Sequence, residues 1–222
     1  SNSFYSSPFS CFLYPEAFSD AFKKIYNIDY KIDWKSVQGM TDQEIIIQSL
    51  LKNGLRESII SEKMKDCINE MVDSFNKSIN QSSIEPMDGV VDLLNELDNK
   101  DVILGLVTGN LEPIARAKMR KVGLNDYFKI GGFGNDDEER VNLIKIAIDR
   151  AKRGFNFKFE NNVFLFGDTP QDIKAGKGAG IKTIGVATGI YSKEELENTN
   201  ADFVFMNLKD KNKILGIILL EK

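Results

Sequence analysis

Residues 163–172 read VFLFGDTPQD. Apolar residues from Val163 to Phe166 run into Gly167, and two carboxylates, Asp168 and Asp172, follow. A short apolar run bounded by turn residues reads as a strand buried on both faces. Pro170 suits the first turn of a helix, where its missing N–H costs nothing. The stretch is therefore a strand–turn–helix junction. Asp168 or Thr169 then serves as the helix N-cap, or Asp168 and Asp172 aim their oxygens at one hard cation. Both readings stay open on these residues alone.

The same texture extends in both directions. Asp101–Val107 is an apolar run that ends in Thr108-Gly109-Asn110. A hydroxyl, a glycine that lets the backbone come close and a following helix N-terminus make an anion-binding arrangement, although a plain cap on the turn uses the same residues. Glu112–Val122 has helical spacing and ends at Gly123, a good C′ glycine. Tyr127–Phe133 is a second strand candidate, and Glu139–Lys152 is a helix behind the acidic run Asp136 to Glu139, which reads as a solvated helix start favoured by the macrodipole. Ile173–Gly180 is helical, and Thr183–Ala187 and Phe203–Phe205 close the series. Strands alternating with helices at this spacing predict a Rossmann-like α/β core over 85–222, a parallel sheet with helices on both faces. Chemistry in such sheets gathers at the carboxyl ends of the strands. The run Gly131-Gly132-Phe133-Gly134 does not match the dinucleotide-binding spacing.

Upstream the period changes. Phe18, Ala21, Phe22 and Ile25 recur every three or four residues, one face of a helix. Thr41 with Glu44 three residues on reads as a capping box, followed by Ile45, Ile46, Leu50 and Leu51 as a buried stripe. Ser58 or Ser61 opens a third helix toward Ile79. Residues 16–84 are thus a small helical module, and residues 1–15 an irregular N-terminal segment.

Taken together, the strand ending in Thr108-Gly109-Asn110, the basic Arg140, and the strand ending in Gly167 and Asp168 resemble the haloacid-dehalogenase-like (HAD) phosphohydrolases. The pattern is similar to the phosphoglycolate-phosphatase-like branch, which carries a helical cap. The resemblance covers residues 86–207 and reaches 16–85 as a cap. It implies a Mg2+-dependent phosphatase acting on a small phosphomonoester through an aspartyl-phosphate. By position it gives Thr108 and Arg140 catalytic roles, with Thr108, Gly109, Asn110 and Arg140 binding phosphate. Asp168 would ligate Mg2+, and Asp172 would support the metal site. The family usually has lysine followed by proline where this chain has Arg140-Val141, so Lys145 stands as the alternative basic residue.

One departure matters. The family's nucleophile is the first Asp of an Asp-x-Asp motif at the end of the first strand, and its second Asp is the acid and base. This sequence has no aspartate before Asp20, which falls inside a helical pattern. Asp29 and Asp33 lie between two helices with no buried strand before them. The sequence as read leaves three explanations open: a first strand missing from it, a degenerate member that binds a phosphorylated ligand without cleaving it, or a strand supplied by another chain. An incomplete sheet also invites self-association.

The totals bound the rest. The chain has 222 residues and a net charge of -4, so no global basic field points to nucleic acid. It contains no histidine, which excludes Ser-His-Asp and Cys-His machinery and every His-ligated metal site. Cys11 and Cys67 form no CxxC and fit buried thiols in a reducing cytoplasm. No apolar run approaches membrane-spanning length. The expected partner is a small phosphorylated metabolite, with no nucleic acid and no membrane. A flavodoxin-like or receiver domain needs a flavin or phosphoacceptor loop after its first strand, and none is legible. A non-catalytic phospho-ligand-binding protein on the same fold remains the alternative.

Overall fold

The computed structural model describes residues 10–34, 36–37, 39–81, 85–100, 102–159 and 163–220. Three helices come first: α1 (Ser10–Tyr26), α2 (Asp42–Lys52) and α3 (Glu57–Ser78). The chain then alternates α4 (Val90–Asp98), β1 (Gly105–Thr108), α5 (Glu112–Lys121), β2 (Ile130–Phe133), α6 (Arg140–Phe155), β3 (Phe164–Gly167), α7 (Pro170–Gly178) and β4 (Lys182–Val186). A short α8 (Lys193–Glu197), β5 (Phe203–Phe205) and α9 (Lys211–Leu220) follow. This is the expected α/β architecture, with parallel strands flanked by helices.

Every described strand pair is parallel, and the strands form two sets, β1-β2 and β3-β4-β5. Parallel neighbours need crossovers, and α5, α7 and α8 supply them. Helix α6 packs on β1 and β2, while α7 packs on β3 and β4. An apolar cavity of about 590 Å³ lies between β1 and β3, lined among others by Leu106, Phe164, Leu94 and Ile144. The polar strand ends Thr108 and Asp168 lie outside its lining.

Helix α1 begins at Ser10, earlier than the expected helix start at Glu16, so the irregular segment gives way to helix before residue 16. Pro15 sits about one turn inside, where sequence alone marks a helix start, because only the first turn tolerates a missing N–H freely. Residues 1–9 lie outside the described residues. Thr41 caps α2 by accepting from the Glu44 amide at 3.3 Å, which is one half of the expected capping box. The buried face of α2 runs through Ile45, Ile46, Ser49 and Leu50. Leu51, expected in the stripe, is 41% exposed, because it lies a step of about 100° round from Leu50.

The helical module and the α/β core share one continuous apolar interior, from Phe18, Phe22, Ile46, Met71 and Phe75 to Leu94, Ile114, Phe133 and Ile184. Each large side chain removed from water there contributes about 1.5–3 kcal/mol. Trp34 stacks edge-on against Phe18, with ring centroids 5.6 Å apart at 66°. Cys67 is fully buried, and burial pushes its thiol up to about 12. No helix among the described residues is long and apolar enough to cross a membrane.

Candidate functional site

The carboxyl ends of β1, β2 and β3 converge, and glycines let them do so. A Cβ on Gly134, past β2, would lie 1.8 Å from the Gly109 carbonyl oxygen, past β1. A Cβ on Gly109 would meet the Met40 carbonyl at 3.0 Å and the Thr41 Cα at 3.1 Å. Two strand-end loops and the start of α2 therefore touch backbone to backbone, which no larger residue permits.

Past β1, Thr108 is buried, and its Oγ1 accepts the Asn110 amide at 3.2 Å, leaving its proton to donate. The first amides of α5 are already engaged. Leu111 N donates to Asp42 Oδ2 at 2.7 Å, and Glu112 N to Asn135 Oδ1 at 2.7 Å. The Asn110 side chain faces Asp42 and Lys118. The helix N-terminus that the sequence suggested for anions is thus largely taken up by side chains.

Past β3, Thr169 and Asp172 form a complete capping box on α7, so Thr169 is the N-cap and Asp168 stands before it. One Asp172 oxygen accepts the Thr169 hydroxyl at 2.9 Å, and the other accepts Arg140 Nη1 at 2.8 Å. Asp168 is 8% exposed. Burial pushes its carboxyl above the ordinary value, and the neighbouring Asp172 charge adds to this, while Arg140 works against it. A Cβ on Gly189, past β4, would come within 2.5 Å of Asp168 Oδ2, so the β4 loop closes the far side.

Arg140 opens α6 and links these parts. Besides Asp172, its Nη2 donates to the Gly39 carbonyl at 3.2 Å and lies 3.6 Å from a Cβ placed on Gly109. Its Nε is a buried donor with no hydrogen-bond partner among the described residues. Burying such a donor is costly, so it marks where an acceptor is wanted. Lys145, the alternative, points to solvent on α6. The acidic run ahead of α6 is less solvated than its composition suggests, because Asp136 pairs with Arg150 at 2.7 Å.

Asp168 also tests the metal. Among the described residues no group of three or more acidic or thiol ligands converges. Asp172 has both oxygens engaged, which leaves Asp168 as the carboxylate free to meet a cation. Mg2+ is commonly held by one or two carboxylates with water and substrate phosphate oxygens, so the acidic corner fits it. Asp20, exposed on α1, accepts the Ser74 hydroxyl, and Asp29 and Asp33 are exposed between α1 and α2. None of the three reaches the strand ends. Asp42 and Lys118 do, and sequence reasoning missed both. The capping pattern absorbed Asp42, and Lys118 sits in an ordinary basic stretch of α5.

Comparison with known proteins gives a consistent picture. The family described as haloacid dehalogenase-like hydrolase matches residues 18–186. Pyrophosphatase PpaX of Anoxybacillus flavithermus is 30% identical over 161 residues, 72% of this chain and 74% of the relative. Phosphoglycolate phosphatase of Shigella boydii is 22% identical over 161 residues, 72% of this chain and 63% of the relative. Among solved structures, CbbY from Rhodobacter sphaeroides in complex with phosphate superposes with a TM-score of 0.69 at 18% identity, over 90% of this chain and 89% of that one. That likeness speaks for the fold. With the family matched over most of its length, this chain belongs to the haloacid dehalogenase-like hydrolases.

Proposed function

We propose that this chain is a Mg2+-dependent phosphatase-type protein for a small phosphorylated metabolite, with the phosphoryl group seated between Thr108, Gly109 and Arg140. The observation that carries the reading is Arg140, whose Nη2 lies beside Gly109 and whose buried Nε has no hydrogen-bond partner among the described residues. The relatives' names, a pyrophosphatase and a phosphoglycolate phosphatase, support a phosphorylated substrate of small size. Asp168 would hold the Mg2+, with Asp172 supporting the site through Arg140 and Thr169. Bound there, the cation would offset charge on the phosphoryl oxygens.

The chain's own groups then have distinct tasks. The Thr108 hydroxyl donates to a phosphoryl oxygen, and the Gly109 amide comes close because no side chain intervenes. Arg140 supplies a fixed positive charge that Asp172 keeps in place. The helical module, docked on the strand ends through Gly39 and Asp42, acts as a cap that limits access and excludes water. Turnover requires an aspartate in the Asp-x-Asp placement, which Asp20, Asp29 and Asp33 do not occupy.

Two proteins separate the possibilities: the chain as read, and a version with an N-terminal strand ending in Asp-x-Asp. Each is assayed for Mg2+-dependent hydrolysis of p-nitrophenyl phosphate. Turnover by the second alone is the expected result. Turnover by the first would mean that one of its own acids is the nucleophile. Phosphate binding without turnover in either favours a non-catalytic binding protein, the reading that the exposed Asp20, Asp29 and Asp33 support. No binding and no turnover in both overturns the assignment.

A further inference from the structure

The helical module and the α/β core meet around two buried charges, Lys118 and Asp42, neither of which the proposed phosphoryl seat uses. Lys118, on α5, is 5% exposed, and Asp42, the first residue of α2, is 1% exposed. Such side chains are almost never this buried unless paired. Here Asn110 joins them. Lys118 Nζ donates to Asn110 Oδ1 at 3.1 Å, and Asn110 Nδ2 donates to Asp42 Oδ1 at 3.4 Å. The two charges fix which way the amide lies, because its oxygen must face the cation and its NH2 the anion.

The remaining contacts straddle the same boundary. Asp42 Oδ2 accepts the Leu111 amide at 2.7 Å, and the Asp42 amide donates to the Gly109 carbonyl at 2.8 Å. Asp42 therefore grips both sides of the loop between β1 and α5. The Lys118 ammonium lies 5.8 Å from the ring centroid of Phe75, on α3, so a core lysine also reaches into the helical module. Gln43 Nε2 adds a bond to the Gly134 carbonyl at 2.7 Å.

We propose that Lys118, Asn110 and Asp42 form a latch that holds the helical module closed on the loop after β1, with Lys118 and Asp42 as positioning residues. Swinging the module away breaks the bonds of Asp42 to Asn110 and Leu111 and parts Lys118 from Phe75 at once. Such a step is steep because several buried polar contacts are lost together. The latch stands on geometry alone and does not require that the chain bind phosphate.

Amide hydrogen exchange on the full chain tests it. Asp42→Asn and Lys118→Met should each speed exchange at the Leu111 and Asp42 amides by about tenfold or more, while Ile184 and Gly185 in β4 stay protected. In the double variant the increase should fall short of the product of the two single effects, because each change removes the same coupling. Unchanged rates at Leu111 and Asp42 would overturn the proposal. So would a multiplicative double variant, or β4 amides that loosen in step. Should Lys118→Met fail to fold, Asp42→Asn decides alone, since it removes the charge at nearly constant size.

Discussion

Arg140 bonds both Asp172 on α7 and the Gly39 carbonyl, and its partner Asp172 is 1% exposed. Arg140→Ala leaves that carboxylate buried without its countercharge and should cost roughly 3–5 kcal/mol in urea unfolding, well above an exposed pair. It should also abolish inorganic phosphate binding by calorimetry. Asp168→Asn separates stability from function. The Asp168 carboxyl is raised in the folded state, so its ionisation opposes folding. That cost is absent below the ordinary carboxylate value and present in full above the raised one. The variant should therefore melt higher than the parent at neutral pH without Mg2+. In any active form it should also lose all metal-dependent turnover. Asp202 behaves in the opposite sense. Burial raises it, but Lys177 and the amide and hydroxyl of Thr183 outweigh this and hold it below the ordinary value. Its stabilisation is present above the ordinary carboxylate value and lost as pH falls through the lowered one. Melting curves of the parent and Asp202→Asn should converge in acid and separate near neutrality.

At the scale of elements, the junctions were the most legible part. The turn at 167–172 gave a strand, a cap and a helix, and Thr169→Ala should cost about 1 kcal/mol by removing the α7 cap, read from chemical denaturation. What the sequence obscured has physical causes. The apolar run from Val102 forms a ladder only from Gly105, because apolar character marks burial and not hydrogen bonding. The acidic stretch before α6 looks solvated in the sequence because its partner Arg150 lies far along the helix. The latch was invisible for a stronger reason. Asp42 and Asn110 are 68 positions apart, and no local pattern announces a bond across that distance. Thr108, Arg140 and Asp168, by contrast, each stand where a strand or loop meets a helix, and the fold brings those points together.

Over the whole molecule, one apolar interior runs through both the helical module and the α/β core. Phe18, fully buried on α1, belongs to it with Phe133 and Ile184 of the strands. Phe18→Ala should cost about 3–5 kcal/mol and should lower the stability of the entire fold in one transition. Two separate transitions in calorimetry would mean that the modules unfold independently. Periodicity reads residues 16–84 as helix-rich and 85–222 as alternating, but it carries no information on whether the two bury their surfaces together.

The edge-on contact of Trp34 with Phe18 has an optical consequence. Trp34 is the chain's single tryptophan, so its emission is an uncrowded signal from the turn that precedes α2. Emission wavelength and anisotropy would then follow the seating of that turn on α1, while far-ultraviolet circular dichroism follows the backbone of the whole chain. Loosening of the turn would register as a red shift with the dichroism unchanged, a spectroscopic reporter already built into the native sequence.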